Sequence, residues 1–515
     1  MQPVLIVGAG PTGLVLALWL ARLGVGVRLI DKADGPGSTS RAFAAHARTL
    51  EFYEQIGIAE PVIAAGARMQ VLNIHIGRKP YARVPFGNFG VGLSAYPFIL
   101  MLPQDEHERI LGEQLSRQGV EVEWRTELVD LTDEDDRVRT RLKRHDGAPQ
   151  TCEAAFLCGC DGAHSLVREQ LGAGFPGGTY DEIFYVVDVE AAGALANHEV
   201  HFALTKNDFC GVFPLHRNNR LRLIGVVPQE AQSRPHLAYD DVAPQVMRTV
   251  DLTVERLNWF STYHVHHRIA GAFRRGRVFL LGDAAHIHSP AGGQGMNTGI
   301  GDAVNLAWKL ADVLQGHAPD GLLDTYDAER RRVAERIVKT TDRIFAFQVA
   351  RYPGRRLVRT GFFSLWPWLM RLPPFQRLMF RTMSQIVLNY RATSLSEGHA
   401  GRVQGGDRLP WVDVADGTPN FSLLRSLRWQ VHIYGHAPAV IRSICRDHAL
   451  PLHEIGWHHR FAAAGLQRDA PYLIRPDGYV ALAAPINDAE ALRRYLARSG
   501  LSPSDPNRLL TRQSA

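Results

Sequence analysis

The chain has 515 residues, 45% of them hydrophobic and 21% charged, which is ordinary for a soluble globular protein with room for two or three domains. Its net charge of +6 comes from widely spread Lys and Arg, and no basic block interleaved with aromatics marks a nucleic-acid partner. The five cysteines, Cys152, Cys158, Cys160, Cys210 and Cys445, form neither a disulfide framework nor a zinc-type double pair, and suit a reducing, cytoplasmic setting.

From the amino terminus, Pro3 to Val27 is apolar enough to resemble a leader or a membrane span. No positive charge precedes it, however, and Gly8, Gly10, Pro11 and Gly13 would break a spanning helix, so no membrane association is expected. The stretch reads instead as a strand (Val4–Val7), a glycine turn and a helix (Leu14–Leu23), with a second strand (Val27–Ile30) ending at Asp31. In that context the glycines suit a tight turn, the helix end suits a pyrophosphate, and an acid about 20 residues on suits ribose hydroxyls. The combination points to an ADP-containing cofactor.

Further on, Arg48–Ile56 reads as an amphipathic helix, Gly66–Phe98 supplies short strands (Val71, Ile74, Ile76), and Gln104–Gln118 is a helix. Val120–Trp124 and Arg137–Lys143 are expected to form a small antiparallel layer, with Asp133–Asp136 a solvated turn. Phe156–Arg168 reads as a strand running into Asp161-Gly162 and then a helix. The stretches Phe184–Val189, Glu199–Leu204, Cys210–Pro214 and Arg220–Val227 alternate as a half-buried antiparallel sheet does. Phe202, Cys210, Phe213 and His216 are candidate pocket residues there, each as readily part of the core. Arg277–Leu281 is another buried strand, followed by Gly282-Asp283, a glycine-rich loop (Ser289–Asn297) and a helix (Gly299–Gln315). A carboxylate at a strand end, glycines and a helix amino terminus make a receptacle for a phosphorylated group. Asp327–Arg332 reads as an ion-paired helix face, and residues 353–395 as a helical connector rich in Pro, Trp and Phe. Beyond Gly401 the chain forms a separate unit with strands Gln430–Tyr434 and Tyr472–Arg475 and a final helix, Asp488–Ser499.

The Gly8-x-Gly10-x-x-Gly13, Asp161-Gly162 and Gly282-Asp283 motifs, in this order and spacing, resemble the single-component FAD-dependent aromatic hydroxylases of the para-hydroxybenzoate hydroxylase type. Within them the chain is most similar to the branch of phenol, hydroxyphenylpropionate and polyketide hydroxylases. The resemblance implies an α/β fold: a Rossmann-like FAD-binding domain (1–173, resumed with a helical connector over 268–400), an inserted antiparallel β-sheet substrate domain (174–267) and a thioredoxin-like C-terminal domain (401–515). The last rests on Gly405–Trp411 and Ile474–Val480. It lacks Cys-x-x-Cys, so no dithiol role is expected.

The resemblance also implies FAD as the bound cofactor. It sets Gly8, Gly10, Pro11, Thr12 and Gly13 at the pyrophosphate and Asp31, with Lys32 beside it, at the adenosine ribose. Arg41 would lie near the pyrophosphate and the entering nicotinamide, Gln104 at the sugar or ribityl part, and Asp161 in a segment serving both FAD and pyridine nucleotide. Asp283 would sit on the ribityl or pyrophosphate side, and Pro290, Gly293, Gly295, Met296 and Asn297 in a loop offering N–H groups to the isoalloxazine. Plainer readings stand beside these: Arg41 a loop charge, Gln104 a helix cap, Asp161 a turn former, His164 and His286 structural neighbours. The implied chemistry is reduction of FAD by NADH or NADPH and addition of O2 at flavin C4a. The hydroperoxide then transfers one oxygen to an aromatic, phenolic or polyketide-like small molecule. No residue stands out as catalytic base and no metal is implied. The alternative on the same scaffold is an FAD-dependent reductase or dehydrogenase without oxygen insertion. Halogenation is disfavoured because Trp366-Pro367-Trp368 does not continue into the Trp-x-Trp-x-Ile-Pro segment of flavin halogenases.

Overall fold

A computed structural model describes residues 2–37, 42–204, 209–215, 220–234, 236–289, 292–349, 369–413, 419–486, 488 and 490–501. Arg41, Pro290, His216 and the Trp366–Trp368 segment lie outside the described residues.

The chain is a mixed α/β protein with both parallel and antiparallel sheets. Its first sheet forms where the sequence has unbroken branched apolar runs. The strand β1 (Val4–Val7) is buried along its whole length, as a parallel strand covered on both faces must be. After it come α1 (Pro11–Arg22), β2 (Val27–Ile30), α2 (Ala47–Gln55), α3 (Gln104–Ser116) and β3 (Phe156–Gly159). β1 pairs in parallel with β2 on one side and with β3 on the other, and β3 pairs in parallel with Val278–Leu280. Helix α1 begins at Pro11, whose missing N–H costs nothing in the first turn. Its Leu14, Val15, Leu16, Leu18, Trp19 and Leu20 are all buried, because it is packed against α3 and against a long helix, Gln294–Leu314, as well as against the sheet. Burial of each such large side chain stabilises by about 1.5–3 kcal/mol. That explains why the stretch looks apolar enough for a membrane. Among the described residues no helix is long and apolar enough to cross one.

One expectation changes. Val122–Glu123 is the edge of this parallel sheet, paired with β2, and not part of the antiparallel layer. That layer is made by Glu127–Asp133, Val138–Lys143 and Pro149–Ala154, with the acidic turn joining the first two. Residues 120–124 alternate apolar and polar, a pattern that fits a half-covered strand of either sheet and so does not reveal on which one they lie.

The second large sheet has eight strands. Its central members are β4 (Gly177–Ala192), β5 (Val200–Leu204), β6 (Phe209–Pro214), β7 (Arg220–Val226) and β8 (Thr253–Ile269). In space the order runs His286–Ile287, β8, β4, β7, β6, β5, then Val71–Ile76 and Lys79–Pro85. The sheet therefore draws its edge from residues far earlier in the chain. One face is closed by Tyr239–Thr249 over Tyr185, Val187, Cys210, Val212, Leu221 and Leu223. The other carries Val200, Phe202 and Phe213 against Phe43, Phe86 and Met101.

The helices α4 (Gln294–Leu314) and α5 (Asp324–Val349) follow. Glu329 and Arg330 of α5 are fully buried, while Asp327 and Arg331 pair on its outer side, so the Asp327–Arg332 run has an interior face as well as a surface one. The C-terminal residues form a four-stranded sheet in the order Leu452–Ile455, Gln430–Tyr434, Pro471–Ile474, Val480–Ala483. The first pair is parallel and the others antiparallel. Trp429 of this unit packs edge-on against Trp308 of α4, ring centres 5.4 Å apart.

Candidate functional site

The carboxyl ends of β1, β3 and Val278–Leu280 lie side by side, so the segment following each strand emerges at one rim. Backbone bonds tie the exits together: Cys160 N–H donates to Val7 O and Leu281 N–H to Gly159 O. Three glycines of the first turn do different work. Gly8 has φ +106°, and a Cβ there would lie 2.3 Å from Cys160 O. A Cβ on Gly13 would lie 2.0 Å from Gly8 O, so the helix can sit this close to the strand only without one. Gly10, by contrast, has nothing within 4 Å of where a Cβ would be. That open position at the amino terminus of α1 is where a phosphate can approach unpaired N–H groups.

Asp31 sits at the end of β2, as its position in the motif requires. Its carboxylate accepts from Ala9 N–H at 2.7 Å and from Ala33 N–H at 2.8 Å, which stiffens the turn. Lys32 is exposed next to it. Gln104 opens α3 and donates to Glu108 at 2.7 Å, and Glu108 also accepts from Gly37 N–H. Burial pushes the Glu108 carboxyl up, with Gln104 and Gly37 opposing. A cavity of about 270 Å³ lies here, between Ala9, Pro36, Glu108 and Trp124.

The Gly282-Asp283 motif meets the first turn directly. A Cβ on Gly282 would be 2.7 Å from Thr12 Oγ1, and one on Gly299 would be 2.4 Å from the same atom. Thr12 is thus wedged between the late loop and α4, and the two distant glycine motifs form one receptacle. Asp283 is exposed at its edge, in the short turn Gly282–Ala284. Beneath it, Asp302 of α4 accepts from Gly282 N–H at 3.0 Å, from Arg330 at 2.6 Å and bonds His286 Nε2 at 2.7 Å. Burial raises the Asp302 carboxyl, but Arg330 and His286 hold it below the usual range. Asp302 and Arg330 escape sequence reasoning. The available signal is a carboxylate set among the apolar positions Ile300, Ala303 and Val304 of the helix.

Asp161 is largely buried and accepts from Val167 N–H at 3.2 Å, while its Oδ1 has no partner among the described residues. Burial pushes its carboxyl up, against the pull of Ser165 and Val167. Arg168 links this segment to the late loop by donating to Ala284 O at 3.0 Å and to Ala163 O at 2.9 Å. A recess of about 740 Å³ opens beside it, lined by His164, Arg168, Glu169, Phe175, His266 and Arg268.

The late loop is held from its far side. Asn297 donates to Ala44 O and Gly293 O, and accepts from His46 N–H and Thr49 Oγ1. Both its donors and its acceptor oxygen are taken up by protein, so it shapes the loop. Gly293 has φ +65° and precedes Gly295 and Met296, whose N–H groups lie in the unpaired first turn of α4.

Of the pocket candidates, Phe202 and Phe213 share a face, their ring centres 5.5 Å apart, and Phe43 lies 4.6 Å from Phe213. Cys210 is on the opposite face, packed under Tyr239–Thr249, because neighbouring strand residues alternate in direction. It cannot line the surface that Phe213 lines. In register with Phe213 stand Arg222, Asp188 and Trp259, which no motif in the sequence singles out. Arg222 is fully buried and binds Asp188 through two contacts, at 2.7 and 2.8 Å.

Taken together, the open position at Gly10, the turn at Asp31, the unpartnered Asp161 oxygen and the glycine loop at the start of α4 fit FAD spanning the rim. Residues 1–341 match the family described as FAD binding domain. The chain is 41% identical over 340 residues to 6-methylpretetramide 4-monooxygenase of Streptomyces rimosus, a match spanning 66% of this chain and 60% of that protein. It is 33% identical over 511 residues to rifampicin monooxygenase of Rhodococcus hoagii, covering 95% of this chain and 96% of that one. A solved ternary complex of aklavinone-11 hydroxylase with FAD and aklavinone superposes with a TM-score of 0.79 at 25% identity, over 97% of this chain and 98% of the other.

Proposed function

This chain belongs to the FAD-binding-domain family of flavin-dependent aromatic hydroxylases, and from that premise we propose that its substrate is a fused-ring phenol of the polyketide type. The reaction is an FAD-dependent monooxygenation that consumes NAD(P)H and O2 and puts one oxygen atom on an aromatic small molecule. A reductase without oxygen insertion is not favoured by the relatives' names, which are those of monooxygenases and hydroxylases. The observation that carries the substrate reading is the row Trp259, Asp188, Arg222, Phe213 across one sheet face, joined by Phe202 and Phe43. It offers broad aromatic surface to flat rings, with a single buried cation and its counter-ion among them.

FAD, when bound, supplies electron transfer from the nicotinamide and the activation of O2. The chain's own residues do the rest. Gly10 and the start of α1 would take the pyrophosphate, and Asp31 would orient the ribose. Asp161, its carboxyl raised by burial, has one oxygen left for a hydroxyl donor. The first-turn N–H groups of α4 would stabilise negative charge on the ring system. Trp259, Phe213 and Phe43 would keep water from the reacting face and orient the substrate ring. The recess with Arg168, Arg268, His164 and His266, opposed by Glu169 alone, suits the phosphates of the pyridine nucleotide. The division into an FAD-binding domain, an inserted sheet domain and a C-terminal domain is part of the same proposal, and the mixed four-stranded C-terminal sheet supports its thioredoxin-like reading. All five cysteines are free, which supports a cytoplasmic setting.

The test is NAD(P)H oxidation across simple phenols and tetracyclic polyketides, with mass spectrometry of the products. Stimulation by the fused-ring compounds, with one labelled oxygen incorporated from heavy O2, is expected. Hydroxylation restricted to single-ring phenols would overturn the substrate reading.

A further inference from the structure

The loop that opens α4 contains two consecutive left-handed glycines, Gly292 at φ +78° and Gly293 at φ +65°, and no side chain of its own caps the helix. Such a segment has many conformations open to it, so something else must select one. The selecting groups come from the residues just before α2. His46 is 1% exposed, and its Nε2 lies 2.9 Å from Gly292 O and 3.2 Å from Gly293 O. Carbonyl oxygens only accept, so Nε2 carries the ring proton and Nδ1 is the bare nitrogen. Nδ1 has no partner among the described residues. Burial lowers the imidazole to about 4, with the two carbonyls pulling the other way, so this neutral tautomer persists across ordinary assay conditions. The backbone N–H of His46 adds a bond to Asn297, 2.9 Å away, whose amide in turn holds Gly293 O. The early segment and the late loop are therefore cross-linked by side chain and backbone together.

We propose that His46 is a positioning residue for the flavin: its Nε2–H fixes the carbonyls of Gly292 and Gly293 and thereby aims the free N–H groups at the start of α4 toward the bound cofactor. This rests on the FAD reading above, and extends it to a residue outside the glycine and aspartate motifs. With the carbonyls released, the peptide planes of two glycines can rotate, and the N–H groups lose their common direction. The site would then shelter activated oxygen less well. NAD(P)H, O2 and a proton yield NAD(P)+ and hydrogen peroxide, and the substrate is left unchanged.

The discriminating pair is His46→Gln and His46→Asn. A glutamine amide nitrogen reaches about where Nε2 stands, whereas an asparagine nitrogen reaches only the Nδ1 position. Three quantities are read: the FAD dissociation constant of the apoprotein by fluorescence titration, the melting temperature of the apoprotein, and the share of NAD(P)H electrons recovered as peroxide. His46→Asn is expected to weaken FAD about tenfold, the loss of one well-placed buried hydrogen bond, and to raise the peroxide share. His46→Gln is expected to stay within about threefold of the parent in both. If both variants bind FAD as the parent does, or if both weaken it equally and in step with their loss of melting temperature, His46 only fills space and the proposal fails. The FAD titration needs no substrate. A parent protein that binds FAD but hydroxylates nothing would therefore sink the substrate reading while leaving this one standing.

Discussion

The two ends of helix α4 carry contrasting sets of buried polar groups. At its amino end, around the glycine loop and the Asp161 segment, three buried atoms, His46 Nδ1, His288 Nε2 and Asp161 Oδ1, have no partner among the described residues, and the position above Gly10 is open. Along its later turns, charge is more abundant but paired. Lys309 lies 2.8 Å from Glu329, Arg475 lies 2.7 Å from Glu329 and 2.6 Å from Asp477, and Trp308 donates to Asp477 at 3.2 Å. Burial of charge therefore does not mark the site. Unfilled hydrogen-bonding capacity beside open space does, because an unpaired buried polar atom is costly unless a ligand completes it. The paired end joins α4, α5 and the Arg475–Tyr479 hairpin of the C-terminal sheet.

The largest effect that could break this contrast is Arg475→Met. It leaves Glu329 with Lys309 and Asn305 and strips Asp477 of its cation, at a cost of about 3–5 kcal/mol in urea unfolding. FAD affinity of the folded fraction should change less than about threefold. A collapse of both together would mean that the two ends act as one. Next is Gly10→Val, which the free protein accommodates, since the position is open and its φ of −71° suits any residue. Apoprotein stability should move by less than about 0.5 kcal/mol. FAD should bind at least about 100-fold more weakly, near 2.7 kcal/mol by titration.

A smaller effect comes from pH. Burial raises the Glu329 carboxyl, but Arg475 and Lys309 bring it down from 4.5 to about 2. Its folded value lies below its unfolded one, so the stabilisation is complete above about 4.5 and is lost as the pH falls toward 2. Urea midpoints should drop between about pH 5 and pH 3, and the drop should be shallower in Arg475→Met. Smallest of all is Cys445→Ala. Burial pushes this lone thiol up to about 12, so it is inert. NAD(P)H oxidation and product yield should be unchanged, and a stability loss of about 1 kcal/mol is the most that removing one buried sulfur should cost. A redox-dependent change in activity lost in this variant would return the C-terminal unit to the chemistry.

Much of the open, ligand-ready end is legible in the order of residues alone. Val4–Val7, Val27–Ile30 and Gln430–Tyr434 fall where their apolar runs place them, because a short buried strand needs only local composition to declare itself. The glycine motifs are legible for a similar reason: close approach and left-handed backbone exclude other residues at Gly8, Gly13 and Gly293. Cys210 and Phe213, three positions apart, both qualify as pocket candidates by their pattern although they point to opposite faces, since alternation says which residues share a side but not which side is covered.

By itself, then, the sequence determined the cofactor class and the order of the elements around it, since both depend on short-range rules of turn geometry and apolar periodicity. Only tertiary structure decided that Thr12 meets Gly282 and Gly299, that His46 grips the loop at Gly292, and that Glu329 and Arg475 lie inside. These are contacts between residues far apart along the chain, and a polar side chain looks the same in one dimension whether it will face water, a partner or a ligand.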